Sequence, residues 1–504
     1  MKRVLGSLTV AVVLATGLVA CGNSGGKTDE AKKAAALVPQ DALAYVNLAV
    51  NPSDAQKSDI DGILAKFPKA SKKTYDGLKD DLLTKAVQNL GLNYEQDVKP
   101  WLGDELALAV LPNTPKPSPV GLIKSSDDAK AKTALDKAAA SPKFDAAYRI
   151  INGYVVVVQK KDAPLLDTVA RQAGNSSGSL GSQDKFTRVV NQLSGDRLVT
   201  AWADGHALLA LAKAQLKSEV GRARVDLSAL PDIGSAAADL HAVDSGAVIS
   251  GLVETPGATG GGEMAITNNL PSDSLGAISL WNIGGAFDSV LGAVVQSNPE
   301  VARGLTDFEK NIGLNVRQDV LSWMHGETVI AAGPPTTGPT PDFALLVKAT
   351  DPTKAQAAVT KISGLLTQRL GVKLDQRPGP DGSTMYVFPA PIRTGIQPAM
   401  ALVGEKFILA SSPDYLTRLA KGNGGFDSSK AFKDTLGSAE PGTQFQLVLQ
   451  VSSIRQYIEG LLTGASKQKY ETDVKPWLDP FSAAAMRARK DGKDTKFEVK
   501  ATVK

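Results

Sequence analysis

The chain has 504 residues, of which 43% are hydrophobic, and a formal net charge of +4. A length of this order accommodates two or three folded domains. The small net charge, which falls to +2 when the basic residues Lys2 and Arg3 are removed with the leader described next, argues against nucleic-acid binding. The single cysteine excludes an intrachain disulfide bond.

The N-terminus has the pattern of a bacterial lipoprotein signal. Lys2 and Arg3 precede an apolar run that is too short for a membrane span, and the run ends in Leu-Val-Ala before Cys21. This ending resembles the lipobox of bacterial lipoproteins, in which the cysteine thiol accepts a diacylglycerol. We predict a signal peptide at residues 1–20, lipidation of Cys21, and attachment to the extracytoplasmic face of the cell membrane. An ordinary secretory signal with an incidental cysteine is the alternative.

Residues 21–36 follow the predicted lipid anchor and are rich in Gly, Ser, Lys, Asp and Ala. This composition is typical of a flexible tether. The stretch from Cys21 to residue 36 is therefore predicted to hold the folded part of the protein away from the membrane surface.

The rest of the chain repeats one order of predicted elements. A strand is predicted at residues 43–50 and again at 275–283, and an amphipathic helix pair follows each strand. The first helix of each pair has an apolar stripe at positions i, i+3, i+4 and i+7. The stripes are Ile60, Ile63, Leu64 and Phe67 in the first copy, and Phe287, Val290, Leu291 and Val294 in the second.

A tryptophan motif follows each of the two helix pairs, and a third copy lies near the C-terminus. Residues 94–102 read Tyr-Glu-Gln-Asp-Val-Lys-Pro-Trp-Leu, residues 470–478 repeat them almost letter for letter, and residues 316–324 hold a looser copy. The recurring residues are Asp97, Asp319 and Asp473, with Trp101, Trp323 and Trp477. They form either a ligand surface or a structural turn in which the indole plugs the end of a sheet. We favour the structural turn, and we expect Trp477 to be partly buried against the second domain.

Hairpin-linked strands with inserted helices predict an α+β fold. We expect two homologous domains, each a mostly antiparallel sheet with inserted helices, after the lipoprotein signal peptide. The predicted boundaries are 37–254 for the first domain, 255–269 for a glycine-rich linker, and 270–504 for the second domain.

The chain also resembles a known bacterial family. The lipobox, the opening Leu-Val-Pro-Gln-Asp-Ala-Leu-Ala-Tyr-Val from Leu37, and the segment Asp-Val-Lys-Pro-Trp-Leu-Gly-Asp-Glu-Leu-Ala from Asp97 are similar to the domain of unknown function 3352. The resemblance extends over most of the chain from Leu37 onward. It implies an envelope protein, often a lipoprotein, with a duplicated domain, and it carries over no catalytic residues.

The candidate catalytic and metal-binding residues do not fit their motifs. Ser176 lies in a Gly-x-Ser-x-Gly pattern, but a predicted helix precedes it where a nucleophile elbow needs a strand. His206, His241 and His325 are not spaced as metal ligands. We therefore predict no catalytic residue, no metal site and no cofactor. The recurring glutamates Glu105 and Glu327 are expected to be exposed to solvent.

The predicted function is that of a membrane-tethered envelope lipoprotein without enzymatic activity, which binds a ligand or partner through its duplicated domains. An envelope protein, a lipid or a glycan are the candidate partners, and the membrane is reached through the lipid anchor. A purely structural or assembly role is the main alternative, and a hydrolase with an unrecognised site is a weaker one. The basic closing hairpin at residues 482–504 is expected to be a solvated hairpin, with contact to anionic lipid or wall polymer as its alternative.

Overall fold

The computed structural model describes residues 28–504, apart from residues 89, 115, 143, 194, 220–232, 337, 390–395 and 423. The predicted signal peptide and the predicted lipidation site, Cys21, lie outside the described residues. The chain has an α+β fold, as predicted, and the strands of its described part form one sheet of eighteen strands.

The first half of the described chain contributes eight strands and seven helices. The strands are β1 (Ala44–Ala49), β2 (Leu102–Leu111), β3 (Ser118–Ser125), β4 (Ala146–Ile151), β5 (Tyr154–Gln159), β6 (Val199–Asp204), β7 (Ser235–Val243) and β8 (Gly246–Glu254). The helices are α1 (Thr28–Ala35), α2 (Asp54–Ala65), α3 (Tyr75–Gln88), α4 (Asp128–Ala139), α5 (Leu165–Ala173), α6 (Asp184–Val190) and α7 (Gly205–Glu219).

The second half contributes ten strands and nine helices among its described residues. The strands are β9 (Gly276–Trp281), β10 (Glu327–Gly333), β11 (Asp342–Lys348), β12 (Asp375–Pro378), β13 (Thr384–Val387), β14 (Ala399–Val403), β15 (Lys406–Ala410), β16 (Thr443–Leu449), β17 (Phe481–Asp491) and β18 (Asp494–Val503). The helices are α8 (Ala265–Asn268), α9 (Ile283–Ser297), α10 (Pro299–Ile312), α11 (Pro352–Leu370), α12 (Pro413–Lys421), α13 (Lys430–Leu436), α14 (Val451–Leu461), α15 (Gly464–Lys469) and α16 (Lys475–Leu478).

The two halves arrange their strands in the same order. Strand β1 lies between β2 and β6, with β3, β5 and β4 continuing on one side and β7 and β8 on the other. Strand β9 has the same place between β10 and β16, flanked by β11, β15 and β14 and by β17 and β18. All these pairs are antiparallel, and the second half adds the hairpin β12–β13 beyond β14. The shared order confirms the predicted duplication of one α+β domain.

The halves join through their equivalent last strands. Strand β8 pairs antiparallel with β18, from Gly246 opposite Thr502 to Glu254 opposite Asp494. Because each strand meets its own counterpart, the two halves are related by an approximate twofold axis that passes between β8 and β18.

Each half has its largest hydrophobic core on one face of the sheet, which we call the inner face. In the first half this core contains Tyr45 and Trp202 from the sheet and Phe186 from α6. In the second half it contains Val329 from the sheet and Phe432 from α13. The opposite side of the sheet is called the outer face below.

Both folded halves begin earlier than the sequence predicted. Helix α1 lies inside the stretch predicted as a flexible tether, and Ala34 and Ala35 are buried in the inner core. Helix α8 lies inside the predicted linker, and its Ile266 is buried in the core of the second half. The polar and glycine-rich composition of these stretches hides the few apolar positions that pack against the sheet.

Candidate functional site

The first tryptophan motif is a buried structural turn. Trp101 is buried, and its Nε1 donates a 2.6 Å hydrogen bond to the backbone oxygen of Asp97. The Asp97 carboxylate accepts hydrogen bonds from Nζ of Lys137 (2.6 Å) and the backbone N–H of Asn93 (2.8 Å). The Lys137 contact and then the Asn93 contact hold the pKa of Asp97 below its usual range. The motif fixes the turn that leads into β2.

The second copy repeats these contacts. Trp323 is buried and its Nε1 donates to the backbone oxygen of Asp319 at 3.0 Å. The Asp319 carboxylate accepts from Nζ of Lys361 (2.5 Å) and from the backbone N–H of Asn315 (2.7 Å). The sequence did not point to the two lysines, because they lie on α4 and α11, 40 and 42 residues after the aspartates that they contact.

The third copy differs from the other two. Trp477 is 46% exposed, and its ring centroid lies 6.4 Å from that of Phe67 in the first half. Asp473 is exposed. Lys469 stands where the other copies have a capping asparagine, and its side chain does not cap the turn. The expectation that Trp477 packs against the second domain therefore missed its aromatic contact with the first half.

Glu105 is buried, contrary to the expected exposure. Its Oε2 accepts a 2.5 Å hydrogen bond from the hydroxyl of Tyr154, and its Oε1 accepts one from the side chain of Asn47. Burial raises the pKa of Glu105 to about 7, against the opposing effect of the hydrogen bond from Tyr154. The backbone of Ala34 also bonds to this carboxylate, which attaches α1 to the sheet.

Glu327 occupies the equivalent place in the second half and is also buried. Its two oxygens accept hydrogen bonds from the backbone N–H groups of Ile266 (2.6 Å) and Thr267 (3.0 Å) in α8. Burial raises the pKa of Glu327 as well. Each glutamate binds the short helix that opens its own half, so the two carboxylates have matching structural roles in separate cores.

The other candidate residues lie apart from one another. Ser176 opens a single 3₁₀ turn that follows α5, so it does not stand between a strand and a helix. Nδ1 of His241 lies 2.7 Å from the Asp239 carboxylate, and Nδ1 of His325 lies 2.8 Å from Oδ1 of Asn282. Among the residues that the structure describes, no three His, Cys, Asp or Glu side chains are grouped so that they could hold a metal ion.

A cavity of about 280 Å³ lies at the junction of the two halves. It is lined by both halves and by charged side chains, unlike the apolar pocket that would have favoured ligand binding there. Arg487 and Arg489 both pair with Glu440, at 3.0 and 2.9 Å, and Lys496 pairs with Asp491 at 2.6 Å. These three basic side chains of the closing hairpin therefore pair with two carboxylates within the protein, which leaves one positive charge among them.

In the first half, the helix pair covers the outer face of the sheet. Ile60 and Leu64 of α2 are buried in one cluster with Leu240 of β7. Leu240 belongs to a row of directly opposite residues that also contains Val199 and Leu48. The predicted apolar stripe of α2 thus packs against the outer face of the sheet.

In the second half, the equivalent helices α9 and α10 leave their stripes in solvent. Phe287 is 59% exposed and Val290 is 64% exposed, and Phe308 of α10 is exposed too. Of the described residues in these two helices, only Gly284 is buried. The stripe of α9, which has the same predicted spacing as that of α2, therefore does not pack against the sheet in the manner of α2.

The chain connection accounts for this difference. Residues 50–53 join β1 to α2, whereas Asn282 alone joins β9 to α9. Asn282 has left-handed backbone angles, with φ 55° and ψ 47°, and its Oδ1 accepts a hydrogen bond from the backbone N–H of Gly285 at 3.1 Å. Helix α9 therefore starts immediately at the end of its strand and cannot fold back over the sheet as α2 does.

An uninterrupted row of large apolar side chains crosses the outer face of the second half and ends on β8 of the first half. Its members lie directly opposite one another on seven neighbouring strands: Leu345, Ile330, Ile278, Leu447, Met486, Val499 and Ile249. Ile330 is 51% exposed and Ile278 is 38% exposed. Neighbouring strands are about 4.8 Å apart, so the row is about 29 Å long. We call these seven residues the outer-face row.

The first half has smaller side chains at four of the equivalent positions, whereas Leu108 and Val46 take the places of Ile330 and Ile278. Gly121, Ala201, Ala238 and Gly251 stand where the outer-face row has Leu345, Leu447, Met486 and Val499. The fold therefore does not require large side chains there. The strand sequences do not single out this surface, because β1 and β2 of the first half are as apolar as β9 and β10.

A family model matches most of the chain. Residues 4–177 and 142–486 match the family model described as protein of unknown function (DUF3352). The chain belongs to this family, as its resemblance in sequence suggested. No protein with curated annotation matches the chain.

Two solved structures of TP0453 are similar to parts of the chain. Crystal form IV is 10% identical and covers 46% of this chain and 76% of its own, with a TM-score of 0.24. Crystal form III is 9% identical and covers 48% of this chain and 94% of its own, with a TM-score of 0.23. Similarity at this level supports no argument about fold or function.

No helix among the described residues combines the length and the apolar character that a bilayer crossing requires.

Proposed function

We propose that the chain is a non-enzymatic, lipid-anchored protein of the bacterial cell envelope that binds an apolar ligand on the outer face of its second half. The outer-face row is the observation that supports the binding. An exposed patch of large apolar side chains on a folded protein marks an interaction site more often than it serves stability. The first half provides the internal comparison, because it has smaller residues at the places of Leu345, Leu447, Met486 and Val499.

A lipid hydrocarbon chain fits this surface better than a glycan or the edge strand of a partner protein. The row contains no hydrogen-bonding side chain, which a glycan would need for recognition. The strands of the row are interior strands whose backbone groups are already paired on both sides, so a partner strand cannot be added there. Each methylene of a bound chain that leaves water contributes about 0.8 kcal/mol. Eight such groups would contribute about 6 kcal/mol before the entropy of binding is subtracted.

The anchor rests on the N-terminal sequence before Cys21. Cys21→Ser removes the thiol that would accept the diacylglycerol, so we expect the variant to move from the detergent phase to the aqueous phase on detergent partitioning. A variant that remains as membrane-bound as the parent would contradict the lipoprotein assignment.

The ligand proposal is tested with a fluorescent fatty acid added to the Cys21→Ser protein. We expect saturable binding, and we expect Ile330→Glu to weaken it at least tenfold, because a charge then replaces the most exposed member of the row. Leu208→Glu is the matched control, since Leu208 is an exposed leucine on α7 of the first half, away from the row. Equal binding by the two variants, or no binding by the parent, would reject the apolar-ligand proposal in favour of an assembly role.

A further inference from the structure

We infer that the helical hairpin α9–α10 is a hinged cover for the outer face of the second half, with its hinge at Asn282. The inference rests on the proposed function and deepens it, because a cover that closes on the sheet directly beside the outer-face row would compete with a hydrocarbon chain bound along the row. It adds a device that controls access to the site.

The first half shows what the closed arrangement contacts. There α2 packs Ile60 and Leu64 against the row that contains Leu240. The strand registers make Leu48, Val199 and Leu240 equivalent to Leu280, Phe445 and Ala488 in the second half. Leu280, Phe445 and Ala488 lie beside the outer-face row and are only partly buried. The surface that α2 occupies in one half is therefore present, and incompletely covered, in the other.

The hairpin carries the matching apolar surface. The stripe of α9 has the same i, i+3, i+4, i+7 spacing as the stripe of α2, and both Phe287 and Val290 are more than half exposed. Open, the hairpin leaves two apolar surfaces in water. Closed, it removes both from water, which stabilises the closed state by roughly 25 cal/mol for each Å² buried.

The connection to β9 has the features of a hinge. Asn282 adopts left-handed backbone angles, which few residues other than Gly, Asn and Asp adopt. The first turn of α9 contains Gly284 and Gly285, and each glycine lowers helix stability by about 1 kcal/mol relative to alanine. Unwinding residues 283–285 would lengthen the connection from one residue to four, which is its length in the first half.

The two helices would move as one unit. Asn298 alone separates α9 from α10, and its Oδ1 accepts hydrogen bonds from the backbone N–H groups of Glu300 (3.0 Å) and Val301 (3.3 Å). A capped, one-residue connection leaves little freedom between the helices, so the motion falls on the two ends of the hairpin. These are Asn282 and Gly313, where α10 ends with φ 71° beside the turn that contains Trp323.

The test is a disulfide cross-link in the Cys21→Ser protein, which has no other cysteine. Leu291→Cys and Ala488→Cys place thiols at the positions equivalent to Leu64 and Leu240, which share one cluster in the first half. We expect mild oxidation to cross-link this pair, and a saturating fluorescent fatty acid to slow the reaction severalfold. Leu291→Cys with Leu208→Cys is the control pair, which should stay reduced.

A hinge variant provides an independent measurement. Asn282→Ala disfavours the left-handed conformation and removes the side-chain bond to Gly285, so we expect it to raise the cross-linking rate severalfold. Spin labels at Val290 and Lys85 give the hairpin position without a cross-link, and Asn282→Ala should shift their distance distribution. The cover would be rejected, even if the fatty acid binds, by two results together. The cross-link would not form, and the distance between the spin labels at Val290 and Lys85 would have a single value that Asn282→Ala does not change. A cross-link that forms without any fatty-acid binding would retain the cover and reject the proposed ligand.

Discussion

At the scale of single residues, the tryptophan motif serves the fold in two of its three copies. Trp101 and Trp323 each donate to the backbone of the aspartate four residues earlier, and each aspartate binds a lysine from a later helix. The sequence predicted the turn from its recurrence. It could not predict the lysines, because that contact depends on how α4 and α11 pack against the turn.

The copies should differ in their effect on stability. Truncating Trp101 or Trp323 to alanine leaves a cavity and removes an indole hydrogen bond, so we expect a loss of about 3–5 kcal/mol in the free energy of unfolding. Trp477→Ala should cost about 1 kcal/mol, because nearly half of the side chain is already in water. Urea unfolding of the three variants measures these losses, and equal losses in all three would contradict the division of roles.

Glu105 predicts a pH dependence of stability. Its pKa of about 7 in the folded protein exceeds the ordinary value of 4.5. The folded state therefore holds this proton more tightly, and the stability that it provides is complete below pH 4.5 and is lost as the pH rises through 7. The loss is about 3 kcal/mol, since one pKa unit corresponds to about 1.4 kcal/mol.

Glu105→Gln should remove this dependence, because the amide stays neutral and can still accept from Asn47. Free energies of unfolding at pH 5 and pH 8 measure the effect. At pH 8 we expect the variant to have a larger free energy of unfolding than the parent. Glu95→Gln, an exposed substitution, is the control. If Glu105→Gln keeps the parent's full difference between the two pH values, another group causes it.

At the scale of elements, periodicity predicted most strands and helices. Strands β1 and β9 lie within the predicted ranges 43–50 and 275–283, because their residues have the composition of strands bounded by turns. The hairpin β12–β13 was missed, since its first strand is exposed throughout. Helices α1 and α8 were missed because they are short and polar.

The position of α9 is the clearest limit of prediction at this scale. Its apolar stripe has the same spacing as that of α2, so periodicity alone assigns the two helices the same environment. The length of the strand-to-helix connection gives the two helices different environments. A shortening of this connection from four residues to one is hard to locate when two distant repeats are aligned. The candidate site exists because of that shortening, and for this reason the sequence did not indicate it.

At the scale of the whole molecule, one sheet runs through both halves. The sequence predicted two domains and a linker, and the strand order bears out the duplication. The pairing of β8 with β18 was not predictable, because it joins residues about 250 positions apart and depends on no pattern within either strand. This pairing makes the outer face continuous, so that Ile249 of the first half completes the outer-face row.

The junction should also make the two halves unfold together. Gly251 of β8 lies opposite Phe497 of β18, and an added Cβ would approach the backbone oxygen of Ala237 at 2.4 Å and Cζ of Phe497 at 2.6 Å. Gly251→Val therefore overpacks the junction, which we expect to cost about 1–3 kcal/mol.

Tryptophan fluorescence and far-UV circular dichroism should report one shared transition for the parent and two separated transitions for Gly251→Val, because the strained junction no longer couples the halves. Gly257→Ala is the control, since nothing lies within 4 Å of a Cβ added there. If Gly251→Val unfolds at the parent's midpoint in one transition, the β8–β18 pairing does not hold the halves together in solution.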